Sequence, residues 1–323
     1  MSHAPSASIA REFRAISLVG FGHFLSHFYM FGLVPLFVAI SAEFEVTNLQ
    51  LGAILTAYNV ATGVLQTPMG MLVDKLGAKR VLVSGLFITS AAFALSGFTT
   101  SYWELLALFF IAGAGNSVFH PADYVILTAS VEESRQGRAY SMHSFGGSLG
   151  TAAGPAVMVM LMTQTDWRTA LIIAGSVGVL LSLIFVFSGN TLREDAIAKQ
   201  NAKAGTPLRS MINRGVILLF LFYVLTSSAN IGLTAFAPIY LPALYDITVE
   251  TAAYILSILL FSNAIGTLFG GWLADKTPRH DLVLICSFSI YATLLIIVGT
   301  ALVPVFLVIG AFMLGGLVRG IVN

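Results

Sequence analysis

The chain has 323 residues, of which 57% are apolar and 10% charged, with a net charge of +1 and a mean hydropathy of +0.89. That is too little polar surface to cover a water-soluble globule, so composition places the chain in lipid. The basic residues stand singly between apolar runs and form no basic face, which excludes a phosphate-neutralising, nucleic-acid-binding role.

The first fifteen residues are small and polar and read as a cytoplasmic tail (1–15). About 20 apolar residues span a hydrocarbon core about 30 Å thick. Ten such runs follow, at 16–42, 49–73, 81–98, 103–127, 139–162, 169–187, 216–241, 252–274, 282–302 and 304–323. The first run is much longer than the core of a secretory signal, so it reads as a span. Backbone polar groups in lipid must be satisfied within each run, and no period-2 alternation marks a barrel. The expected fold class is therefore an all-α membrane protein. With the amino terminus taken as cytoplasmic, the inner segments collect nearly all the cations, among them Arg11, Arg14, Lys75, Lys79, Arg80, Arg135 and Arg138. The outer segments hold only Arg168. This asymmetry predicts a multi-pass protein of the inner (plasma) membrane with its amino terminus inside. The longest polar segment, 188–213, carries charge, Gly and Pro but no apolar stripe. It reads as a cytoplasmic linker between an N-terminal six-helix bundle (16–187) and a second bundle (214–323).

Gly70-Met71-Leu72-Val73-Asp74-Lys75 closes the second run, and Gly271-Trp272-Leu273-Ala274-Asp275-Lys276 closes the eighth. One pattern recurring on the same side predicts a parallel six-plus-six repeat. Only ten of those twelve spans fit in the chain. The second bundle is therefore expected to be incomplete, ending inside its tenth span as a fragment or a truncated product.

Gly70, Asp74, Lys75, Gly77, Lys79 and Arg80 together resemble the G-x-x-x-D-[RK]-x-G-[RK]-[RK] signature of the major facilitator superfamily, in the loop where that family carries it. Physically, Gly70 would let a neighbouring helix approach closely, Gly77 would allow the tight turn, and Lys79 with Arg80 would hold the loop at the inner surface. The resemblance implies a two-bundle fold and a conformational latch in which Asp74 holds the bundles together on the cytoplasmic side. Gly271, Asp275 and Lys276 would form its second copy, which departs from the pattern at Pro278 and Arg279. Gly113 to Pro121 in the fourth run and Gly146 to Pro155 in the fifth look like the fosmidomycin-resistance-type branch of that superfamily, where a glycine-rich fourth span runs into Phe-His-Pro. Gly150-x-x-x-Gly154-Pro155 is similar to the motif the superfamily associates with exporters, where it bends the fifth span and tightens packing. Met158 stands where a further glycine belongs. Leu108 to Ile111 fill the place of the arginine found in many proton-coupled exporters, so any proton coupling must use other groups.

An ionisable group inside a span is costly unless it faces a cavity or a partner, which makes each one a candidate. His23 and His27 lie one turn apart on one face of the first run. Imidazole titrates near neutral pH, so the pair suits holding a proton or an anion; hydrogen-bonded packing is the competing reading. No Glu follows the first His and no third ligand stands nearby in sequence, so no metal is expected. Counting the rise along the fourth and fifth runs puts Asp123 and His143 at similar depth with His120 one turn deeper. A proton relay with Pro121 aiming His120 at a cavity is one reading of this cluster; Asp123 as a cap near the inner surface is the other. Arg319, mid-span in the tenth run, reads as an anion or substrate contact or as half of an ion pair. Asn116, with Asn59, Gln66, Asn230 and Asn263, suits cavity or interhelix hydrogen bonds. Asp166-Trp167-Arg168 reads as an interfacial anchor.

The expected function is secondary active transport by alternating access, proton-coupled and directed outward, with a small molecule or drug as cargo and a monomer as the working unit. Uptake of a small organic anion by proton symport, and a transport-dead receptor or scaffold, stand as alternatives. No nucleophile with its base, no phosphate cradle and no ATP motif is present, so neither an enzyme nor a cofactor is expected.

Overall fold

The computed structural model describes residues 6–187 and 213–322. The chain forms two compact units, Met1–Lys203 and Ala204–Asn323. The linker reading of 188–213 falls, Asn213 apart, outside the described residues.

Unit 1 is built from α1 (Ser6–Gly32), α2 (Phe37–Phe44), α3 (Asn48–Leu76), α4 (Ala78–Leu95), α5 (Tyr102–Asn116), α6 (Phe119–Ser130), α7 (Gln136–Gln164) and α8 (Trp167–Val186). Unit 2 holds α9 (Arg214–Tyr245), α10 (Val249–Lys276), α11 (His280–Gly299) and α12 (Val305–Ile321). Among the described residues, eight helices are long and apolar enough to cross a membrane. Two of the ten predicted runs are not among them. The α3 run is diluted by Asn59, Gln66, Asp74 and Lys75, and α12 has only 17 residues.

Three boundaries differ from the sequence reading. The helix that opens the chain starts at Ser6, so most of the predicted tail is helical. The cause is a partner far along the chain: Glu12 accepts two hydrogen bonds from the Arg135 guanidinium, at 2.8 and 2.9 Å, which ties the polar first turns to the bundle. The first run breaks after Gly32 into a 3-10 turn, Val34–Leu36, because Pro35 cannot continue the helical ladder. The fourth run breaks between α5 and α6 at Ser117 and Val118. Pro121 has no N–H to bond the carbonyl of Ser117, so the ladder is interrupted one turn before the proline.

Several helices of unit 1 meet by direct backbone-to-backbone approach. A Cβ added at Gly146, Gly150 or Gly154 would run into the carbonyl oxygen of Gly20, Phe24 or Phe28 respectively. These positions repeat every four residues on both helices, so a bare ridge of α7 lies on a ridge of α1. Likewise Gly113 abuts the backbone of Tyr58 in α3, and Gly115 comes against Thr89 in α4. Between these contacts Tyr29, Tyr58, Phe93, Phe109 and Phe119 fill the core.

Both ends of α8 are tied. At its carboxyl end Lys79 Nζ donates to the carbonyl of Val186 at 3.2 Å, a cation placed where the helix dipole is negative. At its amino end Asp166 caps the helix, accepting from the amides of Arg168 and Thr169 and from the Thr169 hydroxyl. Those Thr169 bonds hold the Asp166 carboxyl below its ordinary pKa, so the cap is complete at neutral pH and is lost as pH falls through the carboxylate range. Glu43, at the end of α2, accepts from Trp167 Nε1 at 2.6 Å and from Arg168 Nη2 at 2.6 Å, while Arg168 also reaches the carbonyls of Gly97 and Thr99. The predicted anchor is thus also a clasp joining three helix ends. Glu43→Ala is expected to lower stability by about 1 kcal/mol or less, since the pair is partly exposed. A thermal melt in detergent indistinguishable from wild type would show that the clasp does not stabilise the fold.

In unit 2, α10 and α12 meet in the same way: Gly266 faces the Leu317 carbonyl and Gly320 the Asn263 carbonyl. Leu241, Ile255, Leu259, Val298, Val308 and Phe312 form its core.

Candidate functional site

The break before Pro121 delivers His120 and Asp123, on the first turns of α6, to the interior where α1 meets α7. Asp123 and His143 are fully buried, and Asp123 Oδ2 lies 2.9 Å from His143 Nε2. A carboxylate can only accept, so His143 donates through Nε2. Asp123 sits within the helix rather than at its end, which rules out the capping reading.

His23 is buried, and its ring stacks on that of His143 with centroids 3.8 Å apart and planes 2° from parallel. Its Nδ1 is 2.9 Å from the backbone carbonyl of His143. A carbonyl offers no proton, so His23 Nδ1 carries the hydrogen and Nε2 holds a lone pair. The same logic applies to His27. Thr151 donates its hydroxyl to the carbonyl of Gly147 and therefore accepts from His27 Nδ1, at 3.0 Å. His120 completes the group, its ring centroid 5.1 Å from that of His23 and 6.1 Å from that of His143. Among the described residues, His23 Nε2, His120 Nδ1, His143 Nδ1 and Asp123 Oδ1 are buried without a hydrogen-bond partner. Such groups are rare in folded proteins and call for an explanation.

One turn along, Ser26 donates to Asn116 Oδ1 at 2.6 Å, and Tyr58 donates to the Ser26 carbonyl. Asn116 therefore joins α1 to α5. Gly147, which the sequence reading treated only as part of a glycine run, has a specific task. A Cβ there would come 2.7 Å from His23 Cε1 and 3.1 Å from His27 Cδ2, so the bare position makes room for both rings. Gly147, Thr151 and Ser26 were missed as site residues. The available signal was spacing, because His143, Gly147 and Thr151 recur every fourth residue on one face of α7.

The remaining candidates lie elsewhere. Gly77 has φ of 93°, a conformation that favours glycine, and joins α3 directly to α4. Gly70 is not tightly packed: an added Cβ would make an ordinary 3.8 Å contact with Pro121, which corrects the expectation of close approach. Asp74, Lys75 and Arg80 are exposed at that turn, and in unit 2 Gly271 is buried while Lys276 is exposed. Gly150 and Gly154 form the ridge described above, and Pro155 lies within the unbroken α7. Arg319 is half-buried in unit 2, beside a groove of about 590 Å³ that Asn230 and Tyr291 also line. Among the described residues no carboxylate pairs with Arg319.

Fold and site together define a polytopic helical membrane protein that keeps ionisable groups in its interior. The chain belongs to the Major Facilitator Superfamily, whose sequence model matches residues 19–323. That family consists of transporters, in keeping with the absence of any enzyme motif. The chain is 28% identical over 258 residues to a probable sulfoacetate transporter of Cupriavidus necator, covering 75% of this chain and 60% of that protein. It is 24% identical over 293 residues to the fosmidomycin resistance protein of Escherichia coli, covering 87% and 70%. The crystal structure of the transporter FucP in its outward conformation superposes with a TM-score of 0.71 at 18% identity, over 96% of this chain and 82% of that one. This likeness establishes the two-bundle fold of the superfamily.

Proposed function

We propose that the protein is a secondary active transporter of the fosmidomycin-resistance-type branch that works by alternating access. It exports a small organic anion or drug in exchange for protons, as a monomer in the inner membrane with its amino terminus in the cytoplasm. The observation that carries this reading is the buried cluster of Asp123, His143, His23 and His120, ionisable groups that lipid tolerates only where they do work. Asp123 and His143 serve as the proton site, and His120 and Asn116 face the cargo. Arg319 supplies a cation for an anionic cargo, in line with sulfoacetate, a small organic anion, being named for one relative. Asp74 and Asp275 act as the latch that closes the cytoplasmic side.

The test is expression in a drug-sensitive host with a screen of phosphonates, sulfonates and other small anions. Raised resistance that a protonophore abolishes, and that His120→Ala lowers at least tenfold, is the expected result. Accumulation of the compound instead of its exclusion would replace export by uptake. Unchanged resistance with His120→Ala would remove His120 from the cargo path.

A further inference from the structure

We infer that His23, His120 and His143 form a binding site for a divalent first-row transition metal ion, of which zinc is the type. One ring nitrogen from each of the three lies within 4.8 Å of one from each of the others. The nitrogens left without a partner are one from each ring: His23 Nε2, His120 Nδ1 and His143 Nδ1. The hydrogen-bond network decides which nitrogens of two rings are free. His23 spends its proton on the His143 carbonyl, and His143 spends its own on Asp123. Two rings therefore each keep one nitrogen with a lone pair and no proton to displace, although the rings are stacked and must tilt before those lone pairs converge.

Two of the rings also have the partners that orient a metal ligand. Metal-ligating histidines almost always donate their other N–H to a carboxylate or a carbonyl, which fixes tautomer and orientation. Asp123 does this for His143, and the backbone of His143 does it for His23. Three imidazoles with a fourth position open is a zinc-type arrangement; Mg²⁺ and Ca²⁺ require oxygen ligands and are not suited. A zinc–nitrogen bond of about 2.0–2.1 Å sets ligand nitrogens roughly 3.3 Å apart in a tetrahedron. The triangle must therefore contract, with the stacked His23 and His143 rings tilting toward one another and His120 swinging inward. His120 is only half-buried and has the room to do so.

The two histidines expected from sequence to act together, His23 and His27, are not the chelating pair. His27 is turned to Thr151, and the second and third ligands come from helices distant along the chain. This is a binding property separate from transport, and it stands whether or not protons pass through the cluster.

The experiment uses the full chain, purified in detergent without a polyhistidine tag, and titrates it with Zn²⁺ by calorimetry and with Co²⁺ by visible absorbance. The expected result is one ion per chain and the intense Co²⁺ bands of tetrahedral coordination. His23→Ala and His120→Ala are each expected to weaken binding at least a hundredfold, and Asp123→Asn roughly 10–100-fold by loosening its hold on His143 Nε2. His280→Ala, on an exposed histidine of unit 2, is expected to change nothing. Metal-free melting of each variant shows whether it has folded, and the wild-type Co²⁺ spectrum is a readout independent of any variant. No saturable binding to wild type, or binding that survives both alanine variants, would overturn the assignment. Metal binding with no transport, or transport with no metal binding, separates the fate of this site from that of the proposed function.

Discussion

Gly150→Leu is expected to prise α1 from α7 and cost about 3 kcal/mol, the upper part of the range for overpacking a close contact. The obstacle is the Phe24 carbonyl, part of a helix backbone that cannot rotate aside as a side chain would. Even Gly150→Ala puts a carbon into that space, so it too is expected to destabilise, by less. Unfolding in detergent at a fixed scan rate measures this. The matching control is Gly52→Ala, where an added Cβ meets nothing within 4 Å. A midpoint for Gly150→Leu within error of that control would sink the claim that bare backbone contact holds unit 1 together.

Asp123→Ala is expected to cost about 1–3 kcal/mol and to abolish transport. The cost arises from what the substitution leaves behind. His143 Nε2–H loses its acceptor in a place where both residues are fully buried, and an unpaired donor there carries its full desolvation penalty. Asp123→Asn keeps an acceptor oxygen at nearly the same position, so it is expected to recover most of the stability while still losing the exchangeable proton. Melting curves and transport therefore separate the two roles. Equal stability of the alanine and asparagine variants would show that the Asp123–His143 bond does not matter to the fold.

The features legible in the sequence were those with a local cause. Hydropathy over about 20 residues and the placement of cations located the helices, and φ of 93° at Gly77 matches the turn expected of its motif. Rise counting was enough to set Asp123 level with His143, because the two lie on adjacent helices joined by a short turn. Apart from the helix breaks at Pro35 and before Pro121, the main illegible features involve partners far apart in sequence. Glu12 with Arg135, Glu43 with Arg168 and His23 with His143 each depend on how α1 and α2 pack against helices formed much later in the chain. The neighbourhood of His23 and His120 was likewise not legible, because His120 reaches His23 by way of a fourth run that breaks before Pro121. The α3 run, expected as a span, is a continuous 29-residue helix whose polar residues lower its apolar character below that of the eight other candidate spans.

The ridge between α1 and α7 bears on how the histidine triangle can change shape. His23 and His143 sit on the two helices whose main chains touch, so those two corners are pinned to a common strut. His120 rides on a twelve-residue segment set off from its own helix by an interrupted ladder. Beyond a tilt of the two stacked rings, the triangle can contract only by moving that third corner, so the short piece from Phe119 to Ser130 is the backbone element that would shift if the proposed metal entered.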